Sequence, residues 1–131
     1  MVFDSILPYV IVAAIAGAGM VTGLLFAFSN FIMRALAELQ PDHGMFAMHQ
    51  INEKIINPLF LFFFLGTPLL CMVIAGYSIL NLNDAHSVLL LFGSLGYIIG
   101  PFGITVVCNV PLNDKLAAVQ PTEGADAWNH Y

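Results

Sequence analysis

Apolar positions dominate three long stretches of this chain, and short polar segments separate them. Ser5–Met33, Ile55–Asn83 and Ala85–Asn113 contain no Asp, Glu, Lys or Arg, and each exceeds the roughly 20 residues a helix needs to cross the hydrocarbon core of a bilayer. The pattern predicts an all-α integral membrane bundle of one domain. Its three spanning helices should run over about 5–39, 45–80 and 85–113, with a polar tail over 114–131.

The breaks refine these bounds. Pro8 falls in the first turn of helix one, where proline is tolerated. Gln40-Pro41-Asp42-His43-Gly44 ends that helix and begins the next segment. Met45–Lys54 is amphipathic and can place His49, Asn52 and Glu53 on one face. Asn57-Pro58 then predicts a kink between a short interfacial helix and spanning helix two, and Pro68 and Pro101 mark further bends. Asn81-Leu-Asn-Asp84 reads as a short turn. Cys108-Asn-Val-Pro-Leu-Asn113 closes helix three, followed by a short helix at Asp114–Val119 and then Pro121 and Gly124. Gly19, Gly23 and Ala27 recur every four residues, and Gly93, Gly96, Gly100 and Gly103 populate helix three. Small residues let backbones approach closely, so Gly19, Gly23, Gly96 and Gly100 are expected at helix–helix contacts.

Composition agrees with the membrane reading. The chain is 60% hydrophobic and 8% charged, against about 25% charged in a soluble domain. Met1-Val-Phe-Asp4 offers no basic region of the kind that opens a cleavable signal peptide. The net charge of −5 argues against nucleic acid and against a polybasic lipid-binding role; membrane lipids are the expected surroundings. Cys71 and Cys108 lie in different apolar stretches and read as two buried thiols. With three crossings, Arg34, Lys54 and Lys115 share one side, while Asp4, Asp84 and His86 lie on the other. Basic loops favour the cytoplasm, so the N-terminus is expected outside and the C-terminus inside, in an inner or cytoplasmic membrane.

The same topology gathers polar chemistry at the basic side. Ser29 and Asn30 come from the end of helix one, His49, Asn52, Glu53 and Asn57 from the entry to helix two, and Cys108, Asn109 and Asn113 from the exit of helix three. Near the hydrocarbon, such groups need hydrogen-bond partners or a wet cavity. Either they cap helix ends or they form a site. His49 and Glu53, four residues apart, are too few to bind a metal. Met45 and Met48 beside His43 and His49 give only a minor case for copper. No His-Glu-x-x-His, Cys-x-x-Cys, phosphate loop or nucleophile elbow is present. No cofactor is expected, with a metal or a bound aromatic, porphyrin-like molecule as the minor possibility.

Three segments resemble the anthrone oxygenase-like family of small membrane proteins: Phe26-Ala-Phe-Ser-Asn-Phe-Ile-Met-Arg-Ala-Leu36, the stretch from Gln50 through Asn57-Pro58 to Gly66, and Cys108-Asn-Val-Pro-Leu-Asn-Asp-Lys-Leu116. Arg34 stands where family members usually carry proline. The family usually continues past a Trp-x-x-Tyr element, here Trp128 to Tyr131, into a fourth spanning helix. The resemblance implies, for a few members, oxidation of anthrones to anthraquinones by molecular oxygen without an obvious redox cofactor. On that basis His49 would be the base, and Asn30, Asn52, Asn57, Asn109 and Asn113 would bind a lipophilic aromatic or quinone-like substrate. The competing expectation is a non-catalytic membrane subunit or scaffold, in a homo-oligomer or a larger membrane complex.

Overall fold

The computed structural model describes residues 2–119 together with Trp128; Pro121, Gly124 and Tyr131 lie outside the described residues. The first rod comprises α1 (Val2–Ala27), a π-helical turn at Phe28–Ile32, and α2 (Met33–Ala37). A separate helix, α3 (Pro41–Ile55), precedes α4 (Pro58–Leu80). The last rod joins α5 (Ala85–Tyr97), π-helical segments at Ile98–Gly103 and Thr105–Asn109, and α6 (Val110–Ala117). Asp4–Ala37, Pro58–Leu80 and Ala85–Ala117 are each long and apolar enough to cross a membrane. No strand occurs among the described residues.

Two boundaries differ from the sequence expectation, and proline explains both. Pro41 occupies the first turn of α3, where its missing N–H costs nothing, so this helix starts four residues before Met45 and takes in Gly44. Helix three continues past Asn113 to Ala117, because its prolines are absorbed by π segments instead of ending it. A proline ring crowds the carbonyl four residues earlier, and a π turn widens the helix there. Pro101 lies inside Ile98–Gly103, and Pro111 follows directly on Thr105–Asn109 and Val110. Thr105 Oγ1 donates to the Pro101 carbonyl at 2.6 Å, an oxygen that also accepts the Ile104 N–H.

Helix α4 packs against both α1 and the last rod. Ala14 and Val21 of α1, Phe64, Cys71 and Ile74 of α4, and Tyr97 of α5 form the main core. Phe64 stacks on Phe60 with ring centroids 5.2 Å apart and meets Phe102 of the last rod at 5.1 Å. On α4, Thr67, Cys71, Ile74 and Ser78 are buried at alternating spacings of four and three. Buried Ser87 and Ser94 of α5 extend a seam of small side chains along which membrane helices can pack closely. At the end remote from the basic residues, Tyr77 Oη donates to Asp4 Oδ1 at 3.2 Å. There Asp84 caps α5 by accepting from the His86 N–H at 3.2 Å.

The glycine stripes do not lie where the sequence pattern places them. A β-carbon on Gly19, Gly23, Gly96 or Gly100 would meet no atom within 4 Å, whereas one on Gly17 would collide with Thr67 Oγ1. Leu7, Ala14 and Val21 set the buried meridian of α1. At about 100° per residue, Gly19 and Gly23 lie more than a third of a turn from it. The close approach of α1 and α4 is therefore built on Gly17. The thiols are also corrected: Cys71 is buried but Cys108 is exposed, on a flank of the last rod shared with exposed Ile104 and Val107.

A second, smaller core lies at the basic end. Leu36 of α2, Met45 and Met48 of α3, and Leu116 of α6 are buried together, with Phe28, Ile32, Ile51 and Trp128 packed around them. A β-carbon on Gly44 would lie 2.8 Å from the Leu36 carbonyl oxygen and 2.9 Å from Trp128 Cζ2. Glycine is thus what allows α3 to seat this closely. The amphipathic helix forms a floor that joins the ends of the first and last rods.

Candidate functional site at the basic end

The candidate residues divide by how far each is buried and by what its polar atoms meet. His49 faces inward from α3: it is half-buried, and its Nε2 lies 2.9 Å from the carbonyl oxygen of Leu116 on α6. Since a carbonyl oxygen only accepts, this nitrogen donates. Asn52 is half-buried, and its spacings of three, four and seven put it on the helix face that carries His49, Met48 and Met45. Asn109 and Asn113 are half-buried as well, spaced seven and three residues before buried Leu116. They therefore occupy the side of the last rod that meets the floor. One imidazole and three amides come from the two elements that the His49–Leu116 bond ties together.

Asn57 and Asn30 are placed differently. Asn57 Oδ1 accepts from the Phe60 N–H at 3.0 Å, and its Nδ2 donates to the carbonyls of Lys54 at 3.1 Å and Ile55 at 3.3 Å. This exposed amide is committed to the backbone, ending α3 and capping α4. Asn30 is exposed within the π turn at Phe28–Ile32, while its neighbours Phe28 and Ile32 pack into the smaller core. Ser29 beside it donates to the Leu25 carbonyl at 2.7 Å.

Glu53, expected on the face of His49, is exposed, 3.5 Å from the exposed Lys54 ammonium. The pair considered for metal binding is thus split between the interior and the solvent-facing side of α3. Among the described residues, no three of His, Cys, Asp and Glu come together as a metal would require.

Sequence reasoning missed the π segments. Asn30 and Asn109 each lie within one, and such insertions are frequent at functional sites. Pro101, Pro111 and the Ser29–Asn30 pair are the visible signals, but none of them distinguishes a π insertion from a simple kink. Sequence reasoning also missed the Leu116 carbonyl, a backbone group that no residue pattern announces.

Comparison with curated proteins and with solved structures gave no match. The family model described as anthrone oxygenase matches residues 59–131, more than half of the chain. The matched region contains Asn109 and Asn113 and the Asn-Val-Pro-Leu-Asn segment, while His49 and Asn52 precede it. The helical architecture with three membrane-spanning rods agrees with this match, and the chain belongs to the anthrone oxygenase family.

Proposed function

We propose that this protein is a membrane oxidoreductase that oxidises a lipophilic anthrone- or quinone-like aromatic with molecular oxygen, at the basic end of the bundle. Family membership is the observation that carries the reading, and the half-buried His49, Asn52, Asn109 and Asn113 supply the chemistry it needs.

An anthrone carries a weakly acidic methylene flanked by aromatic rings. His49 removes one proton, and the electron pair left behind spreads into the ring system and its carbonyl oxygen. Amides of Asn52, Asn109 and Asn113 donate to that oxyanion. The electron-rich anion passes an electron to O2, and the resulting radicals combine to form a C–O bond. Protonation by the His49 imidazolium gives a hydroperoxide. Loss of its remaining C–H proton, with cleavage of the O–O bond, expels hydroxide and leaves a carbonyl. The methylene carbon loses four electrons and O2 accepts four, one oxygen ending in the ketone and the other in water. No electron donor other than the substrate is needed.

The shared side of Arg34, Lys54 and Lys115 supports an orientation in which this end faces the cytoplasm. A lipophilic substrate would arrive through the bilayer, and the product would leave by the same route.

The test is aerobic incubation of the purified protein with a simple anthrone, following oxygen uptake and anthraquinone absorbance together. The expected result is one O2 consumed per quinone formed, with the rate falling about 100-fold or more in His49→Ala. Oxidation no faster than in empty detergent micelles would overturn the proposal.

A further inference from the structure

We propose that the Leu116 carbonyl is a positioning group that fixes the working tautomer of His49: Nε2 keeps the ring proton, and Nδ1 carries the lone pair that takes the substrate proton. The role given to Nδ1 rests on the reading of His49 as the base; the tautomer assignment rests on the geometry alone.

A neutral imidazole has one N–H and one lone pair. The nitrogen 2.9 Å from the Leu116 oxygen has to be the N–H, because a lone pair there would face the lone pairs of the carbonyl. Among the described residues, His49 makes no other hydrogen bond, so Nδ1 remains available. The bond is sheltered: Met45 and Met48 on the same helix face are 0% and 4% exposed, and Leu116 itself is 2% exposed. Water therefore competes poorly for the carbonyl, and the ring is held by a partner 67 residues away in sequence.

The arrangement suits a base that has to work in both directions. When Nδ1 accepts a proton, the ring becomes a cation and the Nε2–H bond to Leu116 strengthens as a charge-assisted bond. The protein need not rearrange to hold the imidazolium, and the same nitrogen can return its proton to the peroxide formed next. An Nδ1–H tautomer would present only a donor to the methylene group and could not begin the reaction.

The experiment uses full-length protein labelled with ¹⁵N-histidine in detergent micelles, at a pH where imidazole is neutral. Long-range ¹H–¹⁵N correlations distinguish a protonated from an unprotonated ring nitrogen. Loss of one signal set in His49→Gln identifies His49 among the four histidines. We expect a protonated Nε2 and an unprotonated Nδ1; the opposite tautomer, or a fast-exchanging mixture, would overturn the proposal. Variants supply a second arm. The Gln amide can still donate toward Leu116, so His49→Gln should melt with the parent yet oxidise about 100-fold or more slowly. His49→Ala should lose both properties. Equal destabilisation of the two variants would overturn the structural link. If the tautomer is as assigned but the parent protein oxidises no anthrone, the base role falls with the proposed function and the tautomer assignment stands.

Discussion

Asn57 does the work of two residues with one side chain: its amide nitrogen closes α3 on the Lys54 and Ile55 carbonyls, and its oxygen opens α4 at the Phe60 N–H. Replacing it with alanine removes the cap and should cost about 1 kcal/mol of stability, read as a lower melting temperature in detergent. Asn57→Asp keeps the acceptor and should fall between parent and alanine. Turnover per folded molecule should be unchanged in both; a raised KM in Asn57→Asp would instead place the residue against substrate. The kink at Asn57-Pro58 was legible in the sequence, but capping and substrate binding stood as alternatives for this amide until its partners were placed. The tautomer of His49 was not legible, since its partner is a backbone oxygen far along the chain.

At the scale of elements, the three apolar rods and the break at Asn57-Pro58 were legible from hydropathy and proline alone. Which face of each rod turns inward was not. In a soluble helix the polar side marks the outside, but here lipid and core are both apolar, and four-residue glycine spacing fits either. What decides is the shape of the facing helix, and Thr67 of α4 needs the space at Gly17. Gly17→Leu should therefore separate α1 from α4 and cost about 1–3 kcal/mol. Gly19→Leu, Gly23→Leu and Gly96→Leu should melt with the parent in detergent. A Gly17→Leu protein as stable as the parent would show that α1 packs by another face. The floor makes a parallel demand: Gly44→Val drives a side chain into the Leu36 carbonyl and the Trp128 ring. It should loosen the smaller core, shown by faster hydrogen exchange in α3 than in α4.

For the molecule as a whole, the basic residues predict which way it stands in its membrane. A reporter fused after Tyr131 should read cytoplasmic and one placed between Asn83 and Asp84 external; reversed signals would overturn the orientation and turn the candidate site outward. The gathering of candidate residues at one end was legible from topology alone, since an odd number of crossings returns the chain to that side. The division between inward and outward amides was not, because it depends on the helical phase of α3 relative to α6. The floor also has a consequence for how the protein is made. Helix α3 leaves the ribosome well before α6, yet buried Met45 and Met48 need Leu116 to complete their core. Until the last rod has been threaded, that face waits among lipid headgroups, and His49 has no carbonyl to hold it. A nascent chain stalled at Asn109, with α3 clear of the ribosomal tunnel and α6 not yet made, should therefore be cut readily by trypsin after Lys54, and a released chain that includes α6 should resist. The polar end of the bundle would then become ordered only once the last rod is in place, so that in a half-inserted protein the His49 ring is unheld.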